Sequence, residues 1–182
     1  DVTIGEIVRY QLAVKVPEGK TDGFVITDEL PDGLIYLNDN TTKLAFVDND
    51  PSATGGITSS TISGAGLNIT GDAVTTPTFD LTTGISSEIE GDTTFISGED
   101  VIFNLGDIVN GDRDPDSEYV VVEFNALVEN TGSNVDGAAA DPLNNLFKVA
   151  GTNATERTSN SVAIDLVEPS ITNVAQTVSS TT

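Results

Sequence analysis

From Ile7 the chain alternates. Val8, Tyr10, Leu12, Val14 and Val16 are apolar, and Arg9, Gln11, Ala13 and Lys15 stand between them. A period of two puts the apolar set on one face of a strand and leaves the other mostly polar. Pro17-Glu18-Gly19 ends the strand, because proline cannot donate to a ladder and glycine supplies turn geometry. The same pattern returns over Tyr119 to Val128, with Val120, Val122, Phe124, Ala126 and Val128 expected inward and Glu123 and Asn125 outward. Shorter apolar runs at Gly23 to Thr27, Leu34 to Leu37, Lys43 to Val47, Val101 to Leu105, Leu146 to Ala150 and Ser161 to Val167 read as further strands. Apolar residues nowhere recur at helical spacing for three turns, and Ala138 to Pro142 offers at most one short turn. Strands that are apolar on one face predict an all-β protein, an antiparallel β-sandwich.

The segment 48–98 has a different texture. It is rich in Thr, Ser and Gly, with weak alternation at Ile57 to Ile62, Leu67 to Ile69 and Phe79 to Leu81. It reads as a variable insertion of short strands and long loops at one end of the sandwich; its recurrent Ile, Leu, Phe and Val argue against disorder. Glu168-Pro169 then breaks the pattern. This divides the chain into a sandwich domain, 1–169, and a linking strand, 170–182, whose Ile171, Val174 and Val178 are the candidate interaction residues.

Composition narrows what such a fold does. The 182 residues carry seven Lys+Arg against 29 Asp+Glu, a formal net charge of -22. A surface of that sign repels nucleic acid and anionic membranes, favours bound cations, and suits high salt. The chain has no Cys, Met, Trp or His. It therefore has no disulfide, no thiolate or imidazole metal ligand, and none of the usual general base. No apolar run is long enough for a membrane-spanning helix.

Candidate chemistry is sparse. Asp112, Asp114, Asp116 and Glu118 alternate with Arg113, Pro115 and Ser117. Alternate carboxylates in a loop can converge on calcium, a hard cation that takes about six to eight oxygen ligands. The run departs from an EF-hand loop, lacking its glycine and carrying Arg113 among the ligands. Asp48, Asn49 and Asp50 form a second, weaker cluster. Calcium is the sole cofactor candidate. Asn40, Asn68 and Asn153 each open an Asn-x-Thr glycosylation sequon. Lys15 and Lys148, with Glu123 and Asn160, contain the residue types of an intramolecular isopeptide bond, although no spacing demands one. Catalysis is not expected. No His supports a nucleophile, and with 5% aromatics and no Trp there is little to stack a sugar.

Two stretches carry a family resemblance. Gly5-Glu6-Ile7-Val8-Arg9-Tyr10 and Thr27-Asp28-Glu29-Leu30-Pro31-Asp32-Gly33-Leu34 resemble the opening and the main signature of the bacterial repeat domain of unknown function number eleven. Leu105-Gly106-Asp107, Val120 to Val128 and Asn160-Ser161-Val162 match weaker landmarks, and the middle of the chain matches poorly. The resemblance implies an immunoglobulin-like sandwich repeated in tandem in large secreted surface proteins, which serve as adhesin stalks, fibres or sheaths. Such repeats begin with a strand ahead of the Gly-Asp opening, and almost nothing stands before Gly5 here. Joined to the head, the tail 170–182 supplies a segment of that kind. The expected role is a structural repeat or subunit of an extracellular filament, sheath or stalk, partnered by copies of itself through strand complementation. An adhesive module for glycan or protein, presenting the 48–98 loops, is the alternative.

Overall fold

A computed structural model describes residues 1–49, 56–88, 91–132, 134 and 142–167. Among them there is no helix, and hence none long and apolar enough to cross a membrane. Fifteen strands follow in order: β1 (Ile7–Lys15), β2 (Gly19–Thr21), β3 (Val25–Glu29), β4 (Leu34–Tyr36), β5 (Lys43–Asp48), β6 (Ile57–Ser59), β7 (Asn68–Thr70), β8 (Phe79–Asp80), β9 (Ile85–Ser86), β10 (Val101–Asn104), β11 (Ile108–Asn110), β12 (Tyr119–Val128), β13 (Leu143–Gly151), β14 (Ala154–Thr158) and β15 (Val162–Ile164). The turn expected at 138–142 falls almost wholly outside the described residues.

Two six-stranded sheets form the sandwich. One runs β1-β12-β5-β7, with β4 also on β12 and β8 also on β5. The other runs β14-β13-β3-β10-β9, with β15 also on β13. A third sheet, β2-β11-β6, has three strands. Among the described residues all pairings are antiparallel except β5 with β7 and an isolated bridge between Val2 and Leu166. The insertion 48–98 is woven into all three sheets through β6, β7, β8 and β9.

The long strands bury the faces that their alternation predicts. In β1 and just beyond, Tyr10, Leu12 and Val16 are buried, while Arg9, Gln11 and Lys15 are exposed. In β12, Val120, Val122, Phe124, Ala126 and Val128 all face the core. The ring of Phe124 stacks on Tyr10 at 5.5 Å within its own sheet and meets Phe103 of β10 at 5.5 Å in the other. Glu123 departs from its expected setting. It lies on the outer face yet is 7% exposed, because Arg9 and Gln11 of the neighbouring strand both donate to its carboxylate, at 2.9 and 2.8 Å. The adjacent outer-face residue Val121 is also buried, in a small cluster with Ala45 and Val47.

Gly33 gives the Leu-Pro-x-Gly-Leu signature a physical reason. It holds a φ of 100°, in the region that favours glycine. A Cβ there would lie 2.0 Å from Oδ1 of Asn134. Asn134 is buried and donates to the carbonyls of Gly33 and Glu129, each at 2.7 Å, which pins the end of β12 to the turn before β4.

Candidate functional site: an open strand edge and an acidic loop

Strand β1 has one strand partner, β12, so it forms an edge of its sheet. The Val16 amide donates to the Glu118 carbonyl. Because antiparallel bonding alternates, the even-numbered residues of β1 bond β12, and the backbone groups of Arg9, Gln11, Ala13 and Lys15 turn to the other edge. No strand among the described residues lies there. Alongside that edge runs a groove of about 800 Å³, between β1 and the β13 side of the second sheet. Its apolar lining includes Leu12, Val14, Phe24, Phe147 and Val149.

Its polar lining includes Gln11, Lys15, Arg157 and Asn160 and three buried side chains, Tyr10, Asp28 and Asn145. Asp28 of β3 is fully buried, and its Oδ2 accepts a hydrogen bond from Asn145 Nδ2 at 3.2 Å. Asp28 Oδ1, Asn145 Oδ1 and the Tyr10 hydroxyl are all buried with no hydrogen-bond partner among the described residues. Burial pushes the Asp28 carboxyl up to about 7; the Asn145 bond opposes this, and the nearby Asp100 and Glu29 add to it. Burial likewise raises the Tyr10 phenol, with Asp28 adding to the effect. The sequence marks Tyr10 and Asp28 within the two stretches that carry the resemblance, but does not single out Asn145. Asp28 and Asn145 are 117 residues apart in the chain, and only the pairing of β3 with β13 brings them together. The candidate strand residues Ile171, Val174 and Val178 lie outside the described residues.

The acidic loop joins β11 to β12 and does converge. Asp112, Asp114, Asp116 and Glu118 each offer a carboxylate oxygen, all within 4.8 Å of one another. Successive side-chain to backbone bonds wind the loop: Asn110 Oδ1 accepts from the Asp112 amide, Asp112 Oδ1 from Asp114, and Asp114 Oδ1 from Asp116. Asn110, which the sequence did not single out, anchors the base. It is buried, and its Nδ2 donates to the Val16 carbonyl at 3.0 Å and to Glu118 Oε2 at 2.9 Å. Asn49 joins this cluster, its amide set against Asp114 and Asp116. Its neighbour Asp48 instead turns inward, accepting from the Ile57 amide and from Asn68 Nδ2. Asp50 lies outside the described residues.

The three sequons differ. Asn40 is exposed, at a φ of 61° in a turn. Asn68 sits in β7, where its Nδ2 donates to the Ile57 carbonyl at 2.8 Å. Asn153 ties the Asp22 amide and the Lys20 carbonyl to its turn. A glycan replaces an amide hydrogen, so Asn40 is the most open of the three acceptors. The isopeptide residues have separate partners: Lys148 pairs with Glu29, Glu123 bonds Arg9 and Gln11, and the Asn160 amide meets Ser161.

Comparisons with protein-family models, with curated proteins and with solved structures found no match to this chain.

Proposed function

We propose that this chain is a structural repeat or subunit of an extracellular filament, sheath or stalk, in which each sandwich receives a strand from its neighbour along the open edge of β1. The observation that carries this reading is the groove itself: among the described residues, an unpaired strand edge over a largely apolar trough with three unpartnered polar atoms. An exposed edge of this kind is a template for strand addition. The segment 170–182 has the matching character. In an extended strand Val174, Gln176 and Val178 share a face, so one amide stands between two apolar side chains. Such an amide carries the kind of donor that Asp28 Oδ1 and Asn145 Oδ1 lack among the described residues. The segment 168–182 also holds a single charged residue, Glu168, in a chain of net charge -22, so it approaches another acidic copy at little electrostatic cost. A donated strand makes a heterologous contact, and heterologous contacts propagate into rings or filaments. The extracellular setting is supported by the resemblance to secreted repeat domains.

Complementation between two defective chains tests this. Ala13→Pro removes an outward-facing backbone donor and spares the β12 ladder. Val174→Asp spoils the donated strand. Wild-type protein is expected to form concentration-dependent linear oligomers in sedimentation and electron microscopy, and each variant alone to stay monomeric. An equimolar mixture of the two should give dimers that grow no further. A wild-type chain that stays monomeric at every concentration, with a mixture that does the same, would sink the reading; it would mean that the tail occupies its own groove or none.

A further inference from the structure

We propose that the loop between β11 and β12 is a calcium site, built from Asp112, Asp114, Asp116 and Glu118 and completed by Asn49. Four carboxylates packed within 4.8 Å repel one another strongly unless a cation lies among them. No protein cation fills that role among the described residues. The ion pairs there use Arg9, Lys20, Lys43 and Lys148, none of them with these four acids, and Arg113 is exposed.

Burial supplies an independent argument. Asp112 is only 5% exposed, and its Oδ2 is buried with no hydrogen-bond partner among the described residues; Oδ1 of Asp116 is in the same condition. A carboxylate oxygen shut away from water with neither donor nor cation is costly, and a bound ion satisfies it. Glu118, 4% exposed, meets one amide, from Asn110.

The dimensions favour calcium over magnesium. Ligands at 2.3–2.6 Å on opposite sides of a calcium ion stand about 4.6–5.2 Å apart, whereas magnesium, at about 2.0–2.1 Å in a strict octahedron, draws them closer. The carboxylate separations of up to 4.8 Å suit the larger ion, as do oxygens carried on irregular backbone. Asn49 fits the same picture. Its Nδ2 faces two carboxylates, and a half-turn of the amide would present the carbonyl oxygen to the ion instead. That draws a ligand from the end of β5 into a loop more than sixty residues on, so a bound ion clips the insertion to the start of β12.

Titration of EDTA-stripped, full-length protein with calcium chloride, followed by isothermal calorimetry and terbium luminescence, tests the site. One ion per chain is expected, with an affinity between about 10⁻³ and 10⁻⁶ M and weaker binding of magnesium. Asp114→Asn is the diagnostic variant, because Asp114 is exposed and its loss does not disturb the core. It should weaken calcium at least about tenfold, since loss of even an outer-shell partner of a metal commonly costs that much, whereas Asp72→Asn, an exposed acid elsewhere, should change nothing. Asp112→Asn should remove binding; circular dichroism separates that result from unfolding. Failure to bind calcium at about 10 mM, well above the weakest extracellular modules, or equal affinity in wild type and Asp114→Asn, would overturn the site. Neither result bears on strand exchange at β1.

Discussion

Asp28 shows how one residue can couple this fold to pH. Its folded-state carboxyl titrates near 7 against 3.8 in an open chain, so the folded protein holds a proton that the unfolded chain releases. The stabilisation is complete below about pH 4 and is lost as pH rises through about 7. Across that window Asp28 should withdraw on the order of 2–4 kcal/mol from folding. Asp28→Asn keeps the shape and removes the titration. The variant should therefore gain stability over wild type in urea melts at pH 8 and lose that advantage at pH 4; a constant difference across the range would refute the assignment. Gly33 is the second informative residue. Gly33→Ala sets a methyl against Asn134 and places a side chain at positive φ, so a loss of about 2–4 kcal/mol is expected in denaturant melts, the sum of backbone strain and a broken buried bond. Neither role was legible as such. The sequence marks both residues as parts of a signature, but Asn145 and Asn134, which give them their work, come from distant loops and strands.

At the scale of elements, legibility follows burial. β1 and β12 announce themselves because each has one face in the core, and that difference writes a period of two into the sequence. β14 is invisible by the same logic. All five of its residues are exposed, so it has no alternation, and it is a strand only because β13 offers it an edge. The acidic loop lies between these cases: its alternate carboxylates are plain in sequence, whereas the contribution of Asn49 depends on tertiary structure. The edge of β1 makes a prediction at this scale. In isolated chains the amides of Arg9, Gln11, Ala13 and Lys15 should exchange hydrogen quickly, and those of Tyr10, Leu12 and Val14, bonded to β12, slowly. On assembly the odd-numbered set alone should become protected. Protection of the odd set in dilute monomer would instead put a strand of the same chain on that edge.

For the whole molecule the deciding quantity is charge. At a net -22 the folded surface repels itself, and two copies repel each other before any strand can be exchanged. Salt acts on this in two directions. It weakens the ion pairs at Arg9, Lys20, Lys43 and Lys148, but the lysine pairs are substantially exposed, so water already screens them and they contribute little. It also screens the excess of acids, which outnumber bases 29 to seven, over a distance that shrinks from about 30 Å at 0.01 M to about 3 Å at 1 M. The second effect involves many more charges and acts on folding and association alike, so it should win. Raising sodium chloride from about 0.01 to about 1 M should lift the melting temperature by several degrees and increase the oligomer fraction at fixed protein concentration. Calcium should act at far lower concentration, through one site and on the melting temperature alone, and chains carrying Asp114→Asn should need more of it. If salt left both readouts unchanged, self-repulsion would not be what limits this protein. If salt lowered both, the few ion pairs would outweigh the acidic surface, and the near-neutral tail would have no advantage as the strand that crosses between copies.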